Sequence, residues 1–455
     1  MTGAALLARR RIVPIPERSF CVYGLGVTGA AVAGALRSHG LEVVACDDST
    51  DAATTDRAAA AGVELHHPDL DGLPALIDAV DAVIPAPGLP ESHPVFAAAA
   101  RFHRPVLSEF DLAAAWDDRP LLAITGTNGK TTVTTLVTAM LRASGLVTRD
   151  VGNTDVPLVA ALDDPADQLF VVEASSFRLG HSRHVRPAVG TWLNLAPDHL
   201  DVHASLERYE AAKARIWGEQ LPTDVAVANV DDPVVMRHAV GPGRVVTFGM
   251  IGADYRVEGD RLMGPDGESF GEIGSLFRSL PHDLTNALAA AATARAGGAS
   301  VEGITAALAA FEGLAHRVMR VGSIDGVAYY DDSKATTPHA VASAVSGFAS
   351  VVLIAGGRNK GIDLSVLGAL APPVRAVIGI GEAADEVVAA FDGVNGVNGV
   401  AVHSMSDAID AARRLADPGD VVVLSPGCAS FDWYRNYHER GEDFSRLVRE
   451  RMATP

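Results

Sequence analysis

The chain has 455 residues, 48% of them hydrophobic and 20% charged, with a formal net charge of −19. That length suggests about three domains, and the composition excludes wholesale disorder. The acidic balance excludes a nucleic-acid binder, because no basic stripe exists to displace the counterions of a phosphate backbone.

Residues 1–18 place Arg9, Arg10 and Arg11 after a short Ala/Leu run, the reverse of a signal peptide, and read as a loose arm. No run of about 18 apolar residues occurs, so no membrane span is expected. A strand is predicted over 20–23, then a glycine turn, a helix over 30–39, and strands over 41–46 and 82–84. This block runs out in a Pro-bearing linker near 116–120. A second block opens with a strand over 121–124, a glycine-rich turn and a helix to about 144. Strands follow over 169–172, 189–193 and 225–228. Short alternating runs over 244–280 read as hairpins, and helices are predicted over 285–296 and 301–311. A third block starts near His316, with strands over 327–330, 351–354, 376–380 and 421–424. The Gly-Val-Asn repeat over 393–400 reads as a surface loop. Strands alternating with Ala-rich helices define an α/β architecture with parallel sheets. Domains are expected over 1–118, 119–314 and 315–455. The three cysteines, Cys21, Cys46 and Cys428, form no C-x-x-C pair, which argues against a disulfide framework or a zinc knuckle and for a reducing cytosol.

Two glycine loops carry the chemistry. Residues 24–29 read Gly-Leu-Gly-Val-Thr-Gly, a G-x-G-x-x-G turn between strand and helix, and Asp47 and Asp48 end the next strand where a ribose-binding acid would sit. NAD binding, a structural turn, or a helix N-terminus cradling another nucleotide's diphosphate all satisfy that pattern. Residues 125–132 read Thr-Gly-Thr-Asn-Gly-Lys-Thr-Thr. Gly126 and Gly129 let backbone N–H groups turn inward, Lys130 can reach terminal phosphates, and the Thr131 hydroxyl can ligate Mg²⁺. Ile124 stands where the strict phosphate-loop pattern has glycine, so the loop is a shortened form; a structural Gly-Lys turn is the competing reading. Glu173 ends its predicted strand, and Asp198-His199-Leu-Asp201 follows another, so both can face the crevice at the carboxyl ends of a parallel sheet. By default Lys213 is an exposed helix lysine, and the Asp/His loop a solvated turn.

These segments, taken with EASSF, NLAPDHLDVH, YEAAKARI, TNALAA, the His316-Arg317 pair, DDSKATTP and LSPGCASFDWYRNYHERGEDF, resemble the Mur ligases of bacterial cell-wall synthesis. The resemblance spans nearly the whole chain. It implies an N-terminal Rossmann-like domain for a uridine nucleotide, a central ATPase domain of phosphate-loop type and a C-terminal Rossmann-like domain. GLGVTG, EASSF and SPGCAS together resemble the member that adds D-glutamate to UDP-N-acetylmuramoyl-L-alanine through an acyl phosphate, in peptidoglycan precursor synthesis. Another amino acid, or a folylpolyglutamate-synthase-like reaction, is the alternative.

Carried over by position, Gly126, Thr127, Asn128, Gly129, Lys130, Thr131, Thr132, Asn286, Arg317 and Asp332 would contact ATP. Val27, Thr28, Asn153, Ser175 and Ser176 would contact the uridine substrate, and Thr336, Lys360, Ser430 and Tyr437 the D-glutamate. Thr131 and Glu173 would hold one Mg²⁺, and His199 with a carbamylated Lys213 a second; Lys130, Glu173, His199 and Lys213 would be the catalytic set. A cytoplasmic monomer is implied. The chain departs from the family pattern at Tyr437, where Phe is expected, at Arg178, where Gln is common, at Asp283, where Asn is usual, at Asp48-Ser49, where Thr-Arg is frequent, and at Ala86-Pro-Gly88, which lacks the usual Ser.

Overall fold

The computed structural model describes residues 7–69, 71–394 and 396–453. Its first sheet holds β1 (Ser19–Tyr23), β2 (Glu42–Cys46), β3 (Leu65–His66) and β4 (Ala82–Pro85), all parallel, in the order β3-β2-β1-β4. The second holds β5 (Leu121–Thr125), β6 (Thr148–Gly152), β7 (Leu169–Glu173), β8 (Val189–Trp192), β9 (Val225–Asn229) and β10 (Arg244–Phe248), again all parallel, in the order β10-β9-β8-β5-β7-β6. A small antiparallel sheet follows, made of β11 (Arg256–Glu258), β12 (Arg261–Met263) and β13 (Ser269–Glu272). The last sheet holds β14 (Met319–Ile324), β15 (Val327–Asp331), β16 (Val351–Gly356), β17 (Val374–Ile380), β18 (Asn398–Ala401) and β19 (Val421–Leu424). Its order is β14-β15-β19-β16-β17-β18, parallel except for the β14–β15 hairpin.

Every residue of β5, β7, β8 and β9 is buried, which is why these strands read as continuous apolar runs and not as alternating ones. Leu121, Ala123, Phe170, Val172, Trp192 and Trp217 meet in one core on this sheet. Each large sheet also has a switch point, where consecutive connections leave in opposite directions and open a crevice at the strand ends. The strand orders place it between β1 and β4, between β5 and β8, and between β16 and β19.

The chain divides into two compact units. One takes residues up to 195, 201–276 and 285–310, and so contains the first two large sheets; the other takes 196–200, 277–284 and 311–455. The expected boundary at 118/119 therefore lies inside one unit.

Three expectations are corrected. Residues 7–18 carry no regular structure, yet they are not a loose arm. Arg10 is buried and donates to the carbonyls of Ala113, Asp117 and Arg119, so acceptors in and just before the linker hold it down. Residues 398–400 of the Gly-Val-Asn repeat, with Ala401, form the edge strand β18 paired to β17, and not a loop. Pairing with a buried neighbour supplies what low side-chain propensity does not. Asn395 of that repeat and residues 1–6 of the arm lie outside the described residues. Over 244–280 the expected hairpins are β11–β13, whereas β10 is a parallel edge strand of the second sheet.

Candidate active site

The loop after β5 is built around glycine. Gly126 has φ 156° and Gly129 φ 86°, and a Cβ on Gly129 would stand 2.6 Å from Asn286 Oδ1. Neither position accepts a side chain, so the backbone turns tightly into helix Lys130–Ala143. Thr127 and Asn128 donate their N–H groups to Asn194 Oδ1 at 3.0 and 2.9 Å, which ties the loop across the switch point to the end of β8. Asn194 escaped the sequence reading, although it opens the NLAPDHLDVH segment. Lys130 Nζ folds back on the carbonyls of Gly126 and Thr127, at 2.8 and 2.9 Å. Lys213 is not the exposed lysine of the default reading. It is 1% exposed, donates to the Gly126 carbonyl at 2.8 Å, and packs its ammonium over the Tyr209 ring.

Glu173 ends β7 in register with Ile124, two residues before Gly126. It is 2% exposed; Oε1 accepts from Asn153 Nδ2 at 2.9 Å, and Oε2 has no hydrogen-bond partner among the described residues. A buried carboxylate oxygen without a partner is costly unless a ligand completes it. Asn153 is brought there by register, since Gly152 pairs with Glu173 and turns at φ 97°.

In the first sheet, Gly29 packs so closely that a Cβ would stand 1.9 Å from the Gly24 carbonyl oxygen. Asp47, the candidate ribose acid, is consumed internally: it accepts from Leu25 N at 2.5 Å and Ser49 N at 2.8 Å. Asp48 accepts from the Tyr23 hydroxyl at 2.7 Å. Both acids brace the loop, which removes the main support for NAD. Val27 is 63% exposed at the start of the following helix, and Thr28 accepts from Arg178. Ser175 caps the next helix by accepting from Arg178 N, and Ser176 Oγ lies 2.9 Å from His203 Nε2. His203 and Glu109, the latter 2.5 Å from Arg178 Nε, were also missed; a polar residue inside an apolar helix or a long motif gives no sequence signal of its own.

The second unit carries the remaining predicted residues. His199 adopts φ 56°, uncommon outside glycine, and its N–H donates to Asp198 Oδ1 at 2.8 Å. Arg317 is flanked by His316 at φ 60° and Val318 at φ 52°. Left-handed backbone at a β-branched residue is strained, and such strain collects at functional sites. His316 Nδ1 stands 2.7 Å from Asp331 Oδ2, which holds the turn. Burial pushes the Asp332 carboxyl up to about 7, against the opposing pulls of the Ser425 hydroxyl and Arg317. At the β16/β19 switch point Arg358 and Ala429 exchange backbone hydrogen bonds at 2.9 and 3.1 Å, which brings the loop bearing Lys360 beside the segment bearing Ser430. Gly427 N donates to the Ala335 carbonyl, so the segment bearing Thr336 lies alongside. Thr336 and Lys360 are exposed and Ser430 is buried. Tyr437 opens the last helix, with Lys334 Nζ 3.8 Å from its ring centroid.

Among the described residues no group of three or more His, Cys, Asp or Glu forms a ready-made metal site. The predicted set of Thr131, Glu173, His199 and Lys213 contains only two residues of those types.

A phosphate loop at the switch point of a parallel sheet defines a nucleotide-using α/β enzyme, and the chain belongs to the Mur ligase family. The family model for the Mur ligase middle domain matches residues 124–294, and that for the Mur ligase glutamate ligase domain matches 316–428. The UDP-N-acetylmuramoylalanine–D-glutamate ligase of Frankia casuarinae is 42% identical, covering 94% of this chain and 93% of the relative. That of Desulfosudis oleivorans is 40% identical, covering 96% and 97%. Among solved structures, a UDP-N-acetylmuramate-alanine ligase from Thermotoga maritima superposes with TM-score 0.58 at 17% identity, over 95% of this chain and 99% of that one. A pseudomurein peptide ligase from Methanothermus fervidus gives 0.58 at 18%, over 96% and 100%. These two share the fold.

Proposed function

We propose that the chain is a cytoplasmic ATP-dependent ligase that joins D-glutamate to the alanyl carboxylate of UDP-N-acetylmuramoyl-L-alanine. The observation that carries this reading is the cluster at one end of the second sheet: the phosphate loop, the buried Lys213 on its Gly126 carbonyl, and the unpartnered Glu173 Oε2. The near-full-length relatives supply the amino acid. The alanyl carboxylate attacks the γ-phosphorus of ATP, ADP leaves, and an acyl phosphate forms. The amine of D-glutamate then adds to that carbonyl, loses a proton, and the tetrahedral adduct expels inorganic phosphate. Phosphorylation is needed because a free carboxylate has no leaving group.

Loop N–H groups and Lys130 bind the ATP phosphates, with Asn286, Arg317 and Asp332 on the nucleotide. Val27, Thr28, Asn153, Ser175 and Ser176 take the uridine substrate, and Thr336, Lys360, Ser430 and Tyr437 the D-glutamate. The donors suit Mg²⁺, since Glu173 Oε2 is a buried hard oxygen lacking a partner among the described residues. Thr131 and Glu173 would hold one ion and His199 with a carbamylated Lys213 another; bound Mg²⁺ neutralises charge where carboxylate and phosphates meet. The domains are assigned to 1–118, 119–314 and 315–455.

Phosphate release from ATP is the test, measured with UDP-N-acetylmuramoyl-L-alanine and each of D-glutamate, L-lysine and diaminopimelate. Release should require D-glutamate. Stimulation by L-lysine or diaminopimelate instead refutes the amino-acid assignment, and no release with any of them refutes the ligase.

A further inference from the structure

Arg178 is the donor at the centre of a buried polar chain. A guanidinium has N–H donors and no acceptor, so every bond it makes has a fixed direction. Nε donates to Glu109 Oε1 at 2.5 Å, Nη1 to Asn153 Oδ1 at 2.9 Å, and Nη2 to Thr28 Oγ1 at 2.8 Å. Arg178 and Glu109 are 5% and 2% exposed, a buried ion pair that anchors the guanidinium. Because Asn153 Oδ1 is occupied, its Nδ2 must face the other way, and it donates to Glu173 Oε1 at 2.9 Å. That leaves Glu173 Oε2 buried and without a partner among the described residues. At the other end Thr28 already accepts from Arg178, so its hydroxyl proton is left to give, in the first turn of helix Val27–Ser38. One end of the chain thus presents a carboxylate oxygen suited to a cation. The other presents an O–H beside helix N-terminal N–H groups, suited to an anion. Thr28, Gly29, Ser108, Glu109, Phe177 and Arg178 share the wall of one cavity.

We propose that Arg178 is a positioning residue that couples capture of the anionic uridine nucleotide at the first glycine loop to capture of a divalent cation at Glu173. This rests on the ligase reading. A ligand that orders Thr28 orders the guanidinium, the guanidinium orders Asn153, and Asn153 sets the Glu173 carboxylate. Linkage makes the effect reciprocal.

The test uses the full chain and two variants. Glu109→Gln/Arg178→Met removes both charges together, so no buried charge is orphaned. Arg178→Lys keeps a cation opposite Glu109 but replaces the planar fork that spans Asn153 and Thr28 with a single compact ammonium. Circular dichroism melts establish folding. Calorimetry measures binding of UDP-N-acetylmuramoyl-L-alanine with and without Mn²⁺, and electron paramagnetic resonance measures Mn²⁺ binding with and without the nucleotide. In the unaltered chain each ligand tightens the other. Both variants should lose that mutual tightening and bind Mn²⁺ about tenfold more weakly, with the KM for D-glutamate unchanged. Direct contact between substrate and metal would survive the substitutions, whereas coupling through Arg178 does not. Absence of mutual tightening in the unaltered chain, its persistence in either folded variant, a raised KM for D-glutamate, or failure of both variants to fold overturns the proposal. If the unaltered chain binds no nucleotide and forms no product, the ligase reading itself fails.

Discussion

At the residue scale, burial decides which ionisable groups matter. Lys213 sits in a helix whose composition gives no hint of a buried lysine, yet it is 1% exposed and bonded to the phosphate-loop carbonyl of Gly126. Holding an ordinary lysine neutral near pH 7, as carbamylation requires, costs about 4–5 kcal/mol. Lys213→Ala should therefore abolish turnover, and added short-chain carboxylates should restore part of it; full activity in the variant would sink the carbamate. Asp332 offers a pH readout. Its carboxyl is raised from 3.8 to about 7 by burial, so in the folded chain it stays protonated where the unfolded chain has released the proton. Stability from this group is fully present below pH 3.8 and is lost as pH rises toward about 7. The loss is on the order of 4 kcal/mol. Asp332→Asn should flatten the melting temperature of the second unit across that window, and an unchanged slope would contradict the burial argument.

At the element scale, the strand–turn–helix joints carry the function. Glycine at position 29 is demanded by a carbonyl that a Cβ would approach to 1.9 Å, so Gly29→Ala must push helix Val27–Ser38 off β1. Overpacking of this kind costs about 1–3 kcal/mol. Uridine-nucleotide affinity should fall while ATP binding at the second glycine loop is retained, which fluorescent-nucleotide titration can separate. Arg10 pins the N-terminal segment to the linker through three carbonyls, and burial lowers its guanidinium to about 10. Arg10→Met leaves the Asp117 and Arg119 carbonyls without this donor and should destabilise the first unit by about 2–3 kcal/mol in urea unfolding. The glycine loops and the strands feeding them were legible in the sequence, because both are local: an apolar run followed by Gly. Asn194, His203 and Glu109 were not, because a lone polar residue looks the same whether solvated or buried.

At the scale of the whole molecule, a charge of −19 disfavours self-association as well as binding to nucleic acid. Light scattering at physiological salt should return the mass of one chain; a concentration-independent dimer would refute the monomer. No helix among the described residues is long and apolar enough to cross a membrane. The sequence by itself determined the α/β class, both glycine loops, the family and the main candidate ligands, since periodicity and short motifs are written along the chain. Only the tertiary structure decided what those groups face. It turned Asp47 from a ribose acid into a brace for Leu25, buried Lys213 on the phosphate loop, and left Glu173 Oε2 without a partner among the described residues. Such facts depend on strand register and switch points, which join residues distant in sequence and leave no local mark.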